Sequence, residues 1–154
     1  ISGGLVGSEM CIRDSFSPTN LSKNQINQLI DYSEKIVTEL NHIGVLAVEF
    51  FITKDQILVN EIAPRVHNSG HWTIDACSVS QFKQHMLCVS GREIKQPVLN
   101  NSAHMINIIG EEINEWCGKN NTDRLKIHLY NKKEVKKGRK MGHVTELFDK
   151  GKIF

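Results

Sequence analysis

The stretch VLAVEFFITKDQILVNEI, residues 45–62, predicts a β-hairpin that carries acidic side chains. Residues 45–52 are rich in β-branched and aromatic residues, TKDQ supplies a turn, and residues 57–62 return as a second strand. Glu49 lies inside the first strand and Glu61 near the end of the second. A hairpin with acids among apolar residues is therefore the centre of the predicted fold.

The pairing of the two strands decides what these acids can do. If Glu49 stands opposite Glu61, their Cβ atoms lie about 5 Å apart, and two negative charges at that distance are unfavourable unless something neutralises them. A magnesium ion would do so, since it is held by one or two carboxylates together with phosphate oxygens. Two alternatives stay open. A slip of one residue would place Asn60 opposite Glu49, or one acid could point to solvent or pair with a lysine.

The segment NEIAPRVHNSGH, residues 60–71, continues from the hairpin into a loop with several ionisable side chains. Arg65 offers a planar fork suited to a small oxyanion, and His67 offers a titratable nitrogen. Gly70 permits a positive φ or a close approach of the backbone to a neighbour. Two alternatives compete with an anion site. His67 and His71 could supply half of a zinc site, or this could be an ordinary surface loop.

Helices are predicted on both sides of the hairpin. Ser22 and Gln25 form a capping-box pattern, and apolar residues at helical spacing follow, so a helix is expected over 23–41. After the loop, residues 74–90 show a second helical pattern that ends before Gly91.

Shorter elements follow Pro97. Strands are predicted at 103–110, 124–130 and 142–148, with a short helical stretch at 111–118. The predicted fold class is therefore α+β, with one α/β part over residues 16–96 and a small β-rich part over 97–154.

Residues 1–15, ISGGLVGSEMCIRDS, do not fit this organisation, because they show neither helical nor strand periodicity. They resemble translated sequencing-adapter sequence, so we interpret them as a non-native segment and exclude them from the fold. On this interpretation we expect the chain to be truncated at its N-terminus.

Composition argues against several classes of function. The formal net charge of +2 gives no support for nucleic-acid binding. No run of about 20 apolar residues is present, so a membrane span is not expected, and no secretory signal is visible. The four cysteines form no C-x-x-C pair, which favours reduced thiols in the cytoplasm.

A basic run, KKEVKKGRK at 132–140, holds six cations and one acid. Such runs are commonly solvated turns between strands, and a nucleic-acid patch would be expected to contain interleaved aromatic residues. The functional alternative is a grip on a phosphate, with Gly138 bringing Arg139 close to the ligand. Lys132, Lys136 and Lys137 are predicted to be solvated.

Three segments carry a resemblance to a known family: GVLAVEFF at 44–51, VNEIAPRVHNSGHWTIDACSVSQF at 59–82 and KKEVKKGRKMGH at 132–143. They resemble the 5-(carboxyamino)imidazole ribonucleotide synthase family, whose members are ATP-grasp enzymes of purine biosynthesis. The resemblance covers most of residues 16–154, and the APR-x-HNSGH loop is its most specific part. Val66 departs from the family, which more often has proline there, and Trp72 replaces the usual tyrosine.

The resemblance implies the C-terminal half of an ATP-grasp domain followed by a small β-rich domain, within an ATP-dependent carbon–nitrogen ligase. The implied substrates are ATP, bicarbonate and 5-aminoimidazole ribonucleotide, with magnesium on the ATP phosphates and carboxyphosphate as the intermediate. Phosphoryl transfer needs neutralised charge and aligned oxygens, which a metal held by carboxylates provides. The full-length protein is expected to be a cytoplasmic homodimer without nucleic-acid or membrane partners.

The resemblance also implies roles for individual residues. Glu49 and Glu61 would hold magnesium, and Asn60 and Glu61 would lie in the nucleotide site. The residues implied to be catalytic, by holding bicarbonate and the imidazole substrate, are Arg65 and His67. The residues implied to shape the substrate pocket or to bind the substrate and its phosphate are Asn68, Ser69, His71, Lys133, Arg139 and, as a neighbouring candidate, Lys140.

Two other functions compete with this hypothesis: another ATP-grasp carboxylase or ligase with a different acceptor, and a non-catalytic module that binds a phosphate or a nucleotide. The chain does not contain the family's N-terminal α/β domain or its phosphate-binding lysines. We therefore expect it to be inactive alone. Its exposed helix and hairpin faces are expected to make it poorly soluble.

Overall fold

A computed structural model describes residues 13–154, so the interpretation of residues 1–12 as a non-native segment lies outside the described residues. The described residues combine helices with antiparallel strands, which agrees with the predicted α+β class. The strands are β1 (Asp14–Ser17), β2 (Ala47–Ile52), β3 (Ile57–Ala63), β4 (Ser102–Ile109), β5 (Leu125–Leu129) and β6 (Lys140–Phe148). The α-helices are α1 (Lys23–Glu39), α2 (Thr73–Ala76), α3 (Gln81–Val89) and α4 (Ile113–Trp116), and short 3₁₀ turns span Asn68–Gly70 and Gly110–Glu112.

The hairpin of β2 and β3 has the register that places its two acids opposite each other. Glu49 pairs with Glu61, and the next pair toward the turn is Phe50 with Val59. Asn60 is therefore an extra residue in β3, which makes a β-bulge beside the acid pair. This register confirms the pairing of Glu49 with Glu61 and excludes the one-residue slip.

Helix α1 begins at the predicted capping box. The Ser22 hydroxyl accepts a hydrogen bond from the Gln25 backbone N–H at 3.3 Å, and Gln25 Oε1 accepts from the Ser22 N–H at 3.0 Å. The helix leaves an open apolar groove between itself and β2, lined by Ile30, Val48 and Phe50 among others. Ile30 of α1 is 50% exposed and Val59 of β3 is 47% exposed, which agrees with the predicted exposure of the helix and hairpin faces.

The helix predicted over residues 74–90 is wrong, because the structure has two helices there. Cys77 adopts an extended conformation after α2 and forms an isolated bridge with Leu99. Ser80 then begins α3, since its hydroxyl accepts a hydrogen bond from the Lys83 N–H at 3.2 Å. Serine prefers the cap position to a helix interior because its side chain satisfies a free backbone N–H, and that preference divides the predicted helix.

The larger sheet is antiparallel, with the strand order β1-β4-β6-β5. Its edge strand β1 comes from the start of the described chain, where Asp14 pairs with Ile106 and Ser15 is buried against the sheet. The exclusion of residues 14 and 15 from the fold is therefore wrong. The sheet also crosses the predicted division at residue 97, since β1 pairs with β4. The sequence did not indicate this, because strand pairing between distant segments leaves no local pattern.

A small core joins the loop region to the larger sheet. Ala76 of α2 is fully buried and packs with Ala103 of β4 and Leu147 of β6, with Trp72 against the same cluster. This contact fixes residues 67–76 between the hairpin on one side and the sheet on the other. Within the described residues, no helix is both long enough and apolar enough to cross a membrane.

Candidate functional site

The acid pair of the hairpin and the loop meet at His67. One ring nitrogen, Nδ1, lies 3.5 Å from Glu49 Oε1, and the other, Nε2, lies 3.8 Å from Glu61 Oε1. Asn60, the bulge residue, donates from Nδ2 to Glu49 Oε2 at 3.2 Å. Four of the residues implied by the resemblance therefore form one cluster at the end of the hairpin.

The loop turns sharply after His67. The residues Asn68–Gly70 form one 3₁₀ turn, and His67 Nδ1 lies 2.9 Å from the Ser69 hydroxyl. Gly70 has no positive φ, but a Cβ built on it would lie 2.8 Å from Gln81 Oε1. Of the two explanations for this glycine, the structure supports the close approach.

Asn68 connects the loop to the larger sheet. Its side-chain amide exchanges two hydrogen bonds with the amide of Asn107, each 2.8 Å long. Lys140 Nζ, at the start of β6, donates to Asn68 Oδ1 at 3.0 Å. Asn107 is fully buried in β4, so its amide must be satisfied by neighbours. The strands of the sheet thereby hold the orientation of Asn68.

Other predicted site residues make contacts within their own segments. Arg65 is exposed, and its Nη1 donates to the Val66 carbonyl at 3.0 Å. Arg139 Nη1 donates to the Glu134 carbonyl at 3.2 Å, and Lys133 is exposed.

The prediction that Lys132 is solvated is wrong. Its side chain is half-buried and donates from Nζ to the Lys140 carbonyl at 2.5 Å. The ammonium also lies 5.4 Å from the centre of the Tyr130 ring, within range of a cation–π interaction. Lys132 is therefore packed against the same strand end as Lys140.

Behind the loop, the imidazole rings of His71, His128 and His143 pack against one another. Burial lowers the pKa of His71 to about 4 and, together with the neighbouring His128, lowers the pKa of His143 to about 3. Burial also raises the pKa of Tyr130 to about 12, and its hydroxyl lies 2.8 Å from His143 Nδ1. The two histidines are therefore neutral near pH 7.

The geometry of two groups of described residues argues against a zinc site. His67 and His71 flank a 3₁₀ turn, and a hydrogen bond from Gln81 occupies His71 Nδ1. A separate group, Asp75 with His128 and His143, has three ligand atoms within 4.8 Å of one another. The rings of His128 and His143 are stacked at 4.6 Å with 18° between their planes. Their in-plane lone pairs therefore run side by side instead of converging on one ion, and His128 bonds Asp75 at 2.8 Å.

The hairpin acids, in contrast, fit a hard cation. Glu49 Oε1 is buried and accepts no hydrogen bond among the described residues, and the His67 ring, 3.5 Å away, is the chargeable group beside it. Glu61 adds a second carboxylate on the same side of the hairpin. Carboxylate oxygens are the ligands that magnesium prefers, so these two residues would hold it.

Several residues of this site were not predicted from the sequence. Asn107 had a signal, because it is a lone amide inside an apolar strand, MINII at 105–109. Gln81 had none, since it lies beyond the loop at the start of a helix. Tyr130 and His143 reach the site only through the strand pairing of the larger sheet.

Models of two protein families match this chain: the ATP-grasp domain over residues 6–82 and the phosphoribosylaminoimidazole carboxylase C-terminal domain over residues 103–152. The chain is 42% identical over 135 residues to the N5-carboxyaminoimidazole ribonucleotide synthase of Bacillus subtilis (strain 168). That alignment covers 85% of this chain and 35% of the relative. The chain spans about a third of the length of the curated relatives that it matches.

Solved structures with similar sequences share this fold. N5-carboxyaminoimidazole synthetase from Staphylococcus aureus complexed with ADP matches with a TM-score of 0.79 and 38% identity, covering 88% of this chain and 37% of that one. N5-carboxyaminoimidazole synthase from Aspergillus clavatus, in complex with ADP and 5-aminoimidazole ribonucleotide, matches with a TM-score of 0.81 and 31% identity. The second match covers 94% of this chain and 41% of that one.

Proposed function

Because the chain belongs to the ATP-grasp family, in the branch whose relatives are N5-carboxyaminoimidazole ribonucleotide synthases, we propose that it forms part of such a synthase. The proposed reaction carboxylates the exocyclic amine of 5-aminoimidazole ribonucleotide with ATP and bicarbonate. This chain contributes the carboxylates that face the ATP phosphates and the loop that faces the small substrates. The remaining nucleotide-binding surface belongs to the part of the relatives that the chain does not span.

One observation carries the proposal: His67 lies between the two acids of the hairpin. The cluster therefore places a group that can carry protons beside groups that can hold a cation. The proposed reaction needs both, because phosphoryl transfer to bicarbonate develops charge on oxygen and the later carboxylation of the amine releases a proton. Neither an ordinary surface loop nor a simple hairpin requires that arrangement.

Magnesium, held by Glu49 and Glu61, would supply charge neutralisation at the phosphates. Asn60 donates to Glu49 Oε2, which leaves Oε1 of the same carboxylate for the cation. The amide of Asn60 thereby fixes the orientation of the carboxylate, and this fixed carboxylate supports the proposed assignment.

The loop residues take part in two steps of the proposed reaction. An oxygen of bicarbonate attacks the γ-phosphorus of ATP, and the bond to the ADP oxygen breaks, which gives carboxyphosphate and ADP. The C–O bond of carboxyphosphate then breaks to give carbon dioxide and inorganic phosphate, and the amine adds to the carbon dioxide: the new N–C bond forms, one C=O bond becomes the carboxylate, and the amine loses a proton. The His67 imidazole can accept that proton, and the Arg65 guanidinium suits the bicarbonate.

The substrate phosphate needs cations on the opposite side of the loop. Lys140 already contacts the loop through Asn68, and Arg139 and Lys133 belong to the same basic segment. We assign these three residues, with Asn68 and Ser69, to the ribonucleotide side of the pocket. Lys132 supports this side through its bond to the Lys140 carbonyl.

The test is phosphate release from ATP by a fusion of this chain to the N-terminal two-thirds of the Bacillus subtilis relative. We expect release that requires both bicarbonate and 5-aminoimidazole ribonucleotide, with the carboxylated product detected by mass spectrometry. Glu61→Gln should lower the rate by about 100-fold, because one metal-facing charge is lost. Glu39→Gln, on an exposed glutamate at the end of α1, is the matched control and should have no effect.

A folded fusion that binds phosphorylated ligands but releases no phosphate in response to the two substrates would contradict the proposal. That result would favour the non-catalytic module. Turnover with a different acceptor would favour another ATP-grasp carboxylase. The proposal also carries the expectations of a cytoplasmic location and of a homodimer for the full-length protein, and light scattering on the fusion would test the second.

A further inference from the structure

Gln81, the first residue of α3, reaches back from outside the loop motif. Its backbone N–H donates to the Thr73 hydroxyl at 3.0 Å, and that hydroxyl donates to the Gly70 carbonyl at 2.6 Å. The helix start is thereby tied to the loop before the side chain is considered. The side chain of Gln81 is half-buried, so the hydrogen bonds that it makes are partly shielded from water.

Both ends of the Gln81 amide bind the backbone of a single residue. Oε1 accepts from the His67 backbone N–H at 2.9 Å, and Nε2 donates to the His67 carbonyl at 2.7 Å. A backbone N–H can only donate and a carbonyl can only accept, so these bonds fix which end of the amide carries the oxygen. The orientation of the amide is therefore determined by its partners.

This orientation decides the protonation of a neighbouring ring. Gln81 Nε2 also lies 2.8 Å from His71 Nδ1. Since Nε2 has hydrogens and no acceptor lone pair, His71 Nδ1 must accept, and the single proton of the neutral ring is on its Nε2. The ring packs against Phe82 and His143, with centroid distances of 5.1 and 5.3 Å. This half-buried setting disfavours a second proton on the ring.

We propose that Gln81 is a positioning residue for the loop that carries Arg65, His67 and His71, here called the substrate-anion loop. Gln81 fixes the backbone of His67 and holds His71 as the neutral Nε2–H tautomer. Through these contacts the amide determines the position of the His67 backbone and leaves Nε2–H as the hydrogen-bond donor of the His71 ring. Gly70 belongs to this arrangement, because a side chain at residue 70 would displace the Gln81 amide. The catalytic consequence rests on the proposed function, whereas the tautomer of His71 does not.

The first experiment needs no variant. Nitrogen-15 NMR of the imidazole rings in the 154-residue chain, or in the fusion, reports which nitrogen of His71 carries the proton. We expect an unprotonated Nδ1 and a protonated Nε2 at pH 7. A proton on Nδ1 would overturn the proposal directly.

The second experiment uses Gln81→Glu, which keeps an acceptor for the His67 N–H but removes the donor to His71. We expect the titration of His71 to move upward by at least about one pH unit, because a carboxylate favours the charged ring. The matched control is Gln84→Glu. The side-chain amide of Gln84 also binds backbone, since its Nε2 donates to the Lys95 carbonyl at 2.8 Å. An unchanged His71 titration, or an equal change in both variants, would overturn the proposal.

Kinetics on the fusion then separate positioning from general stability. We expect Gln81→Glu to lower kcat by about 10- to 100-fold, with the KM for ATP changed less than about threefold, because Gln81 contacts the loop and not the hairpin acids. Normal turnover in Gln81→Glu would remove the catalytic part of the proposal. If the unsubstituted fusion has no activity, the proposed function fails, and the NMR result still decides the role of Gln81.

Discussion

The Gly70→Ala substitution tests whether space at one position maintains the whole loop. A Cβ on residue 70 would lie 2.8 Å from Gln81 Oε1 and 3.0 Å from its Cδ, so the amide must move. That amide is the end of a side chain held by bonds to the His67 backbone and to His71, and we expect the displacement to break them. The φ of Gly70 is ordinary, so the effect would come from contact and not from backbone strain.

The expected loss follows from the number of bonds involved. Three partly buried hydrogen bonds at about 1 kcal/mol each give about 3 kcal/mol. Replacing glycine with alanine restores about 0.4–1 kcal/mol, because it restricts the unfolded chain. We therefore expect Gly70→Ala to lower the free energy of unfolding by about 2 kcal/mol. With a urea dependence of about 2 kcal/mol per molar, the midpoint would fall by about 1 M.

A double-mutant cycle supplies the decisive comparison. In a Gln81→Ala background the alanine at position 70 has no amide to displace, so its destabilising effect should vanish and only the gain of about 0.4–1 kcal/mol from the restricted unfolded chain should remain. The assay is urea unfolding of the four proteins, followed by circular dichroism. Equal losses in the two backgrounds would refute the reasoning, because the effect would then have nothing to do with Gln81.

Three further predictions concern the surroundings of the site. The pKa of His143 is lowered from 6.5 to about 3 in the folded chain, so the unfolded chain binds the extra proton below about pH 6.5 and stability falls as the pH falls through that window. Because the lowered pKa of His71, about 4, causes a loss of stability in the same window, we expect the loss between pH 7 and pH 5 to be about 2 kcal/mol smaller in His143→Phe than in the unsubstituted chain, measured by urea unfolding at both pH values; an equal loss in the variant would contradict this. Asn107→Leu should lower the free energy of unfolding by about 2 kcal/mol, because Asn68 loses both amide bonds, whereas a change below 0.5 kcal/mol would show that Asn68 is satisfied without it. Replacing Ile30 and Ile43 with serine should raise the soluble yield of the chain without lowering its unfolding midpoint, since both side chains are at least half exposed; an unchanged yield would count against this apolar surface as the cause of aggregation.

Local signals in the sequence were sufficient for the hairpin and its helix. The β-branched and aromatic residues of 45–52 and the turn at TKDQ located β2 and β3, and the capping box located the start of α1. The relative placement of the two acids depends on the strand register, and the sequence left open whether Glu61 or Asn60 stands opposite Glu49. The structure settles it with a bulge, and a bulge is a feature of strand pairing that neither strand shows alone.

Elements built from distant segments could not be predicted in the same way. Strand β1 was partly assigned to a non-native segment, since four residues with no periodicity give no signal until β4 pairs with them. Gln81 lies 14 residues from His67, and its contact depends on the break between α2 and α3. The resemblance identified the loop residues but not the helix start that holds them.

The departure at Val66 can be weighed against these contacts. A proline restricts φ, and its loss is worth about 0.4–1 kcal/mol through the unfolded chain. The loop that follows is held by the Gln81 amide on the His67 backbone and by the Asn107 amide on the Asn68 side chain. These four hydrogen bonds together outweigh the lost restraint at about 1 kcal/mol each. They also act from opposite sides, one pair from α3 and one from β4, so the loop is fixed in orientation as well as in position. Valine at this position is therefore compatible with a rigid substrate-anion loop.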